Sequence, residues 1–126
     1  MRNEIFKITK SVLRVKALLE IAKDRFKDIK KETKQYKIIE EYYEIIKELI
    51  TALMYLKGFK TLSHKMLVVY LKKNFKEFST GEIILIGELR KIRKDIVYYG
   101  QKVTEDFLIN KKIPINLIIK KLFRDS

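Results

Sequence analysis

Two long apolar seams constrain this chain more than any other feature. In the first, Ile5, Ile8, Val12, Val15, Leu19, Ala22, Phe26 and Ile29 recur in alternating steps of three and four. In the second, Ile39, Tyr42, Ile46, Leu49, Leu53 and Leu56 do the same. Such a period puts every member on one stripe of an α-helix, facing a partner helix almost as in a coiled coil. The seams match in length and period, so they predict a long antiparallel hairpin of a first helix over about Asn3–Glu32 and a second over about Gln35–Lys57. Gly58 stands where a helix stop is expected.

The remainder continues in the same manner. Ser63 is placed to cap a short helix over about His64–Asn74, and Ser79-Thr80-Gly81-Glu82 reads as a capping box opening a fourth helix. That helix is expected to bury Leu85, Leu89, Ile92, Ile96 and Tyr99 and to stop before Gly100. Thr104, followed by Glu105 and Asp106, is expected to cap a last helical stretch reaching about Arg124. Pro114 disfavours a helical Ile113, so a kink or break is predicted there. No segment alternates with period two between turn signals, so no sheet is expected. The expectation is one all-α domain spanning residues 1–126, an up-and-down bundle of four or five helices.

Composition then narrows the chemistry. The chain has no cysteine, and His64 is its single histidine. Disulfides, thiol nucleophiles, Cys/His zinc sites and a Ser-His-Asp triad therefore fall away. A carboxylate di-iron bundle needs Glu-x-x-His, and no Glu precedes His64 by three positions. Neither a metal nor a cofactor is expected. No apolar run approaches the ~20 residues that cross a bilayer, and the first residues lack a signal-peptide core. A cytoplasmic protein without membrane contact is the expectation.

The formal net charge is +13, from 29 Lys and Arg against 16 Asp and Glu. Such an excess favours polyanionic partners and salt-sensitive binding. The abundance of Lys and Ile with scarce Gln and Gly also fits a thermophile's usage, in which charge serves solubility. Lys16, Lys23, Lys27, Lys30 and Lys34 read as a solvated stripe of the first helix. Glu40, Glu44 and Glu48 read as an acidic row that balances lysines rather than as catalytic carboxylates.

The segment that carries chemistry is Arg90-Lys91-Ile92-Arg93-Lys94-Asp95-Ile96-Val97-Tyr98-Tyr99-Gly100. With Leu89, Ile92 and Ile96 turned inward, Arg90, Arg93 and Lys94 face outward or sideways. Arg90 and Arg93 are i,i+3 neighbours, able to grip one phosphate or two adjacent ones. Tyr98 and Tyr99 add hydroxyls and stacking faces.

A long helical hairpin, a short third helix and a helix bearing Arg, a polar residue and an aromatic before a turn together resemble a HEPN domain. HEPN domains are helical bundles, typically dimeric. Many are metal-independent RNases of toxin–antitoxin, CRISPR and abortive-infection systems, and others accompany small nucleotidyltransferases. In their motif an Arg is followed by a polar residue and then a His. Arg93 matches the Arg, Lys94 the polar position, and Tyr98 stands where the nearest-spaced His would be. The resemblance implies a homodimer that holds RNA or a nucleotide by its phosphate through Arg90, Arg93, Lys94, Tyr98 and Tyr99, with Arg93 and Tyr98 as the catalytic pair if cleavage occurs. A tyrosine, with an ordinary pKa near ~10, is a far poorer base than imidazole, so binding is expected to outlast catalysis. The alternatives are a metal-independent toxin RNase and the helical partner of a small nucleotidyltransferase. For dimer contact, Ile83, Ile84 and Ile86 are expected to lie outside the seam. His64 is expected to sit at the surface or in a cap, kept neutral by the start of its helix and away from Arg93.

Overall fold

The computed structural model describes residues 4–100 and 105–126. Its elements run β1 (Ile5–Lys7), α1 (Val12–Asp28), α2 (Gln35–Lys57), β2 (Phe59–Thr61), α3 (His64–Asn74), α4 (Thr80–Tyr99) and α5 (Glu105–Asp125). A single 3-10 turn at Ile29–Lys31 extends α1 towards the α1–α2 connection. The protein is an all-α helical bundle with a two-stranded ribbon at one end.

Helix α2 is the axis of the bundle, packing against α1, α3, α4 and α5. It buries Ile39, Tyr42, Tyr43, Ile45, Ile46, Leu49, Ile50, Ala52, Leu53 and Met54. These residues occupy more than one stripe, as a helix surrounded by others requires. Helix α1 lies along one side and buries only Val15 and Ala22, with Ile29 just beyond it. From the other side α5 contributes Leu108, Ile115, Ile118, Ile119 and Leu122. Phe26 and Phe123 close the space between α1 and α5, with ring centroids 6.0 Å apart.

Helix ends follow local chemistry. Ser63 Oγ accepts from the Met66 N–H, and Ser79 and Glu82 form a reciprocal capping box. The same Glu82 takes the Lys121 ammonium at 2.8 Å, and Lys121 also donates to the Glu77 carbonyl. One carboxylate thus caps α4 and staples α5 to it. A second brace joins the hairpin, where Arg25 donates to Glu41 and lies 3.1 Å from Glu48. Burial pushes the Glu48 carboxyl up, and the charges of Arg25 and then Lys47 oppose this.

Several expectations fail here. The first helix begins at Val12 rather than Asn3, because Ser11 caps it through its side chain. The segment before it is extended, so a small sheet exists after all: Ile5 pairs with Thr61, Phe6 with Lys60 and Lys7 with Phe59. Ile5 and Ile8 matched a helical seam only by coincidence of spacing. Helix α5 continues through Pro114, so the chain does not break there. The missing N–H and ring clash cost ~3 kcal/mol, but buried residues on both sides, Leu108 before and Ile115 to Leu122 after, hold one helical path. Ile86 belongs to the core at 1% exposure rather than to a free face, and Tyr99 leaves the core at 68%. Leu56, at the end of the second seam, is exposed as well. The cap assigned to Thr104 lies outside the described residues. Among the described residues, no helix is long and apolar enough to cross a membrane.

Gly58 joins α2 to the ribbon. It has φ of +82°, its N–H bonds back into α2, and its carbonyl accepts from Ile8 N–H at 2.9 Å. A Cβ there would stand 3.2 Å from the Ile8 carbonyl oxygen. Gly87, inside α4, meets no described atom within 4 Å of an added Cβ. Gly58→Ala should therefore lose about 1–2 kcal/mol in urea unfolding, whereas Gly87→Ala should gain about 0.5–1 kcal/mol.

Candidate phosphate-binding cleft

The C-terminal half of α4 supplies most of one surface cleft. Arg90, Lys94 and Tyr98 fall at i, i+4 and i+8, a single row along the helix, and Arg93 sits beside that row. Together with Tyr99 and His64 they line a cavity of about 520 Å³. Helix α4 stays regular to Tyr99 and stops at Gly100, whose N–H returns to Ile96. No unwinding is needed to bring Arg93 and Tyr98 to the same cleft. Tyr98 is 69% exposed, so both terminal rings stand open to a ligand.

The floor behind this row comes from α2. Tyr43 is buried, and its ring lies under Arg93, whose guanidinium carbon is 5.6 Å from the ring centroid. Arg93 also reaches Glu44 at 3.3 Å, a long contact for an ion pair. Glu44 is engaged more closely by Lys47, at 2.7 Å. Arg93 Nε is buried with no described hydrogen-bond partner. The guanidinium is thus pinned in orientation, by a cation–π contact and one carboxylate, without being fully neutralised. Among the described residues, Arg90 and Lys94 make no ion pair.

His64 enters from the first turn of α3. Its Nδ1 is 2.7 Å from the Tyr43 hydroxyl, and the two rings stack 17° from parallel with centroids 5.7 Å apart. The expectation that His64 stays away from Arg93 is therefore overturned. Burial lowers its pKa first, followed by the Lys47, Arg93 and Arg90 charges, with Glu44 acting the other way. Burial and neighbouring cations, rather than the helix start alone, keep it neutral. Tyr43 is pushed up to about 12, chiefly by burial, with Arg90 and Arg93 pulling against the rise. The Tyr43–His64 pair is a neutral one at pH 7.

The structure brings all five residues expected for phosphate contact, Arg90, Arg93, Lys94, Tyr98 and Tyr99, to one cleft. It adds His64 at the edge and Tyr43 and Glu44 beneath. Tyr43 carried no signal in the sequence, because it sits one position off the seam beside Tyr42. Of the acidic row, Glu44 pairs most closely with a lysine, Lys47, as expected, and more loosely with Arg93, whereas Glu48 pairs with Arg25. Lys16, Lys23 and Lys27 of α1 are exposed, as are Lys30 in the 3-10 turn and Lys34 at the cap of α2, so the expected stripe does not lie on one helix. Lys23, Lys27 and Lys30 border a separate groove floored by Leu19, Phe26 and Phe123. Among the described residues, no three His, Cys, Asp or Glu side chains gather as metal ligands.

No family model matches the chain, and no curated protein matches it. Three partly exposed cations, two open aromatic rings and one neutral imidazole suit an anion attached to something flat.

The lowered His64 pKa has a consequence for stability. Its folded value lies below the ordinary 6.5, so the unfolded chain takes the proton first as pH falls. His64 thus lowers stability progressively once pH drops below about 6.5. Asp125, raised to about 6 by burial beside Glu77, acts oppositely in the same window. The difference between wild type and His64→Asn isolates the histidine. In urea titrations the stability of wild type minus that of His64→Asn should decline from pH 7.5 to 5.5, and a constant difference would contradict the assignment.

Proposed function

We propose that this chain is a HEPN-like helical protein that acts as a homodimer and binds RNA or a nucleotide by its phosphate, through Arg90, Arg93 and Tyr98, without efficient catalysis by the tyrosine. The observation that carries this reading is the row Arg90–Lys94–Tyr98, with Arg93 alongside, on the wall of one cleft. Arg90 and Lys94 make no ion pair among the described residues, so their charge is available to a phosphate. Arg93 is oriented by Tyr43 and only loosely held by Glu44. Tyr98 and Tyr99 offer rings on which bases can stack, worth ~1–3 kcal/mol per base. The +13 charge adds long-range attraction.

The homodimer reading draws on apolar side chains left open towards both ends of α4, Ile84 near its start and Val97 near its end, the latter next to the exposed Tyr98 and Tyr99. A second copy packed there would place two modest cationic clefts next to each other, as an isologous contact does.

A second reading, a metal-independent RNase, draws support from one observation. His64 supplies, on the edge of the same cleft, the imidazole that the Arg93–Tyr98 motif lacks. Incubating the purified protein with labelled single-stranded RNA in EDTA separates the two. Binding without cleavage fits the first reading, EDTA-resistant cleavage fits the second, and neither binding nor cleavage refutes both.

The expected signature of binding is electrostatic. The logarithm of affinity should fall linearly with the logarithm of salt concentration, with a slope of about −0.7 per phosphate neutralised. Arg93→Ala should weaken binding by about tenfold and flatten that slope by about one contact. Lys27→Ala, on the separate groove, should change affinity less than about twofold. Equal small losses at both positions in a fluorescence titration would refute the assignment of the cleft.

A further inference from the structure

We propose that His64 is a direct ligand of the anion in this cleft, and that binding a phosphodiester there is accompanied by uptake of one proton onto its imidazole. The inference rests on the reading that the cleft receives a phosphate, and it adds a residue and a pH dependence that the motif helix does not contain.

The argument starts from the partners of the ring. From α2, Tyr43, Glu44 and Lys47 face His64; from α4, Arg90 and Arg93 do, with Lys94 on the same cleft wall. Nδ1 is tied to the Tyr43 hydroxyl at 2.7 Å, and Nε2 has no partner among the described residues. A phenol is the stronger donor and an imidazole nitrogen the stronger acceptor. In the neutral pair Tyr43 therefore donates to Nδ1, and Nε2 carries the ring hydrogen. That hydrogen belongs to a residue lining the cleft, so it can be given to a phosphate oxygen.

What resists protonation of His64 is burial together with the charges of Lys47, Arg93 and Arg90. A phosphodiester held by Arg90 and Arg93 cancels part of that field and gives the imidazolium an anionic acceptor. The hydroxyl of Tyr43 can accept as well as donate, so it rotates to take Nδ1–H once the ring is charged. The pair stays hydrogen-bonded in both states, and the 2.7 Å contact need not open. Linkage then runs in both directions: the anion raises proton affinity, and the proton raises anion affinity by the same factor. Affinity should strengthen as pH falls, by at most tenfold per pH unit, between the pKa values of the complex and of the free protein.

His64 is the only histidine in the chain, so its imidazole gives one unambiguous set of NMR signals. The experiment is a titration over about pH 5 to 8, with and without saturating oligouridylate that ends in hydroxyls. Neither its phosphodiesters nor its bases change charge in that range. The expected midpoint lies below 6.5 in free protein and at least about one unit higher in the complex. Oligouridylate affinity should rise several-fold from pH 7.5 to 5.5 in wild type and stay flat in His64→Asn, whose fold is checked by circular dichroism. A midpoint unmoved by bound oligouridylate overturns the inference while leaving phosphate binding intact. So does an undiminished pH dependence in His64→Asn. Failure to bind at any pH overturns the phosphate reading as well.

Discussion

Burial of α2 on nearly every side organises this molecule. A helix surrounded by four others cannot keep its polar groups in water, so each must find a partner at the surface of the core. Tyr42 takes a hydrogen bond from Asn116 of α5, Tyr43 meets His64 of α3, Glu44 meets Arg93 of α4 and Glu48 meets Arg25 of α1. Each neighbour is thereby set in rotation and height by a polar contact as well as by apolar packing. An unpaired buried polar group costs ~1–3 kcal/mol, so these contacts select one arrangement among the many that apolar side chains alone would accept.

The same constraint builds the cleft. Its floor is the core helix, so Tyr43 and Glu44 are fixed by packing before any ligand arrives. Arg93 lies over the Tyr43 ring and leans on a carboxylate already shared with Lys47. A guanidinium held in this way loses less rotational freedom on binding than a free one, which is the usual benefit of preorganisation. The open rings of Tyr98 and Tyr99 lie at the outer end, where α4 stops at a left-handed glycine with φ of +62°. Rigid charge thus lies inside the cleft and accessible aromatic surface outside it.

Much of this was legible along the chain because it is set by residues close in sequence. The bounds of α2 and α3, the caps at Ser63 and Ser79 and the stop at Gly58 depend on interactions spanning a few residues, and they fall where the pattern put them. The row of Arg90, Lys94 and Tyr98 is helical periodicity and nothing more. Errors arose where two readings of one local pattern compete. Ile5 and Ile8 suit a helical seam or a short strand, and only the approach of β2 selects the strand. Pro114 opposes a helix locally, while buried residues on either side enforce one.

By itself the sequence determined that this is a bundle of helices, which faces are apolar, and which α4 residues carry charge and aromatic rings, because each of these follows from spacing within one helix. The tertiary structure alone decided that His64, 29 positions before Arg93 in number, shares a cleft with it, and that Tyr43 joins the two. It also decided that Ile86 is core while Tyr99 is open. Those outcomes depend on how α3 and α4 are rotated about α2. Rotation between helices is fixed by side chains far apart in the chain, and no local period records it.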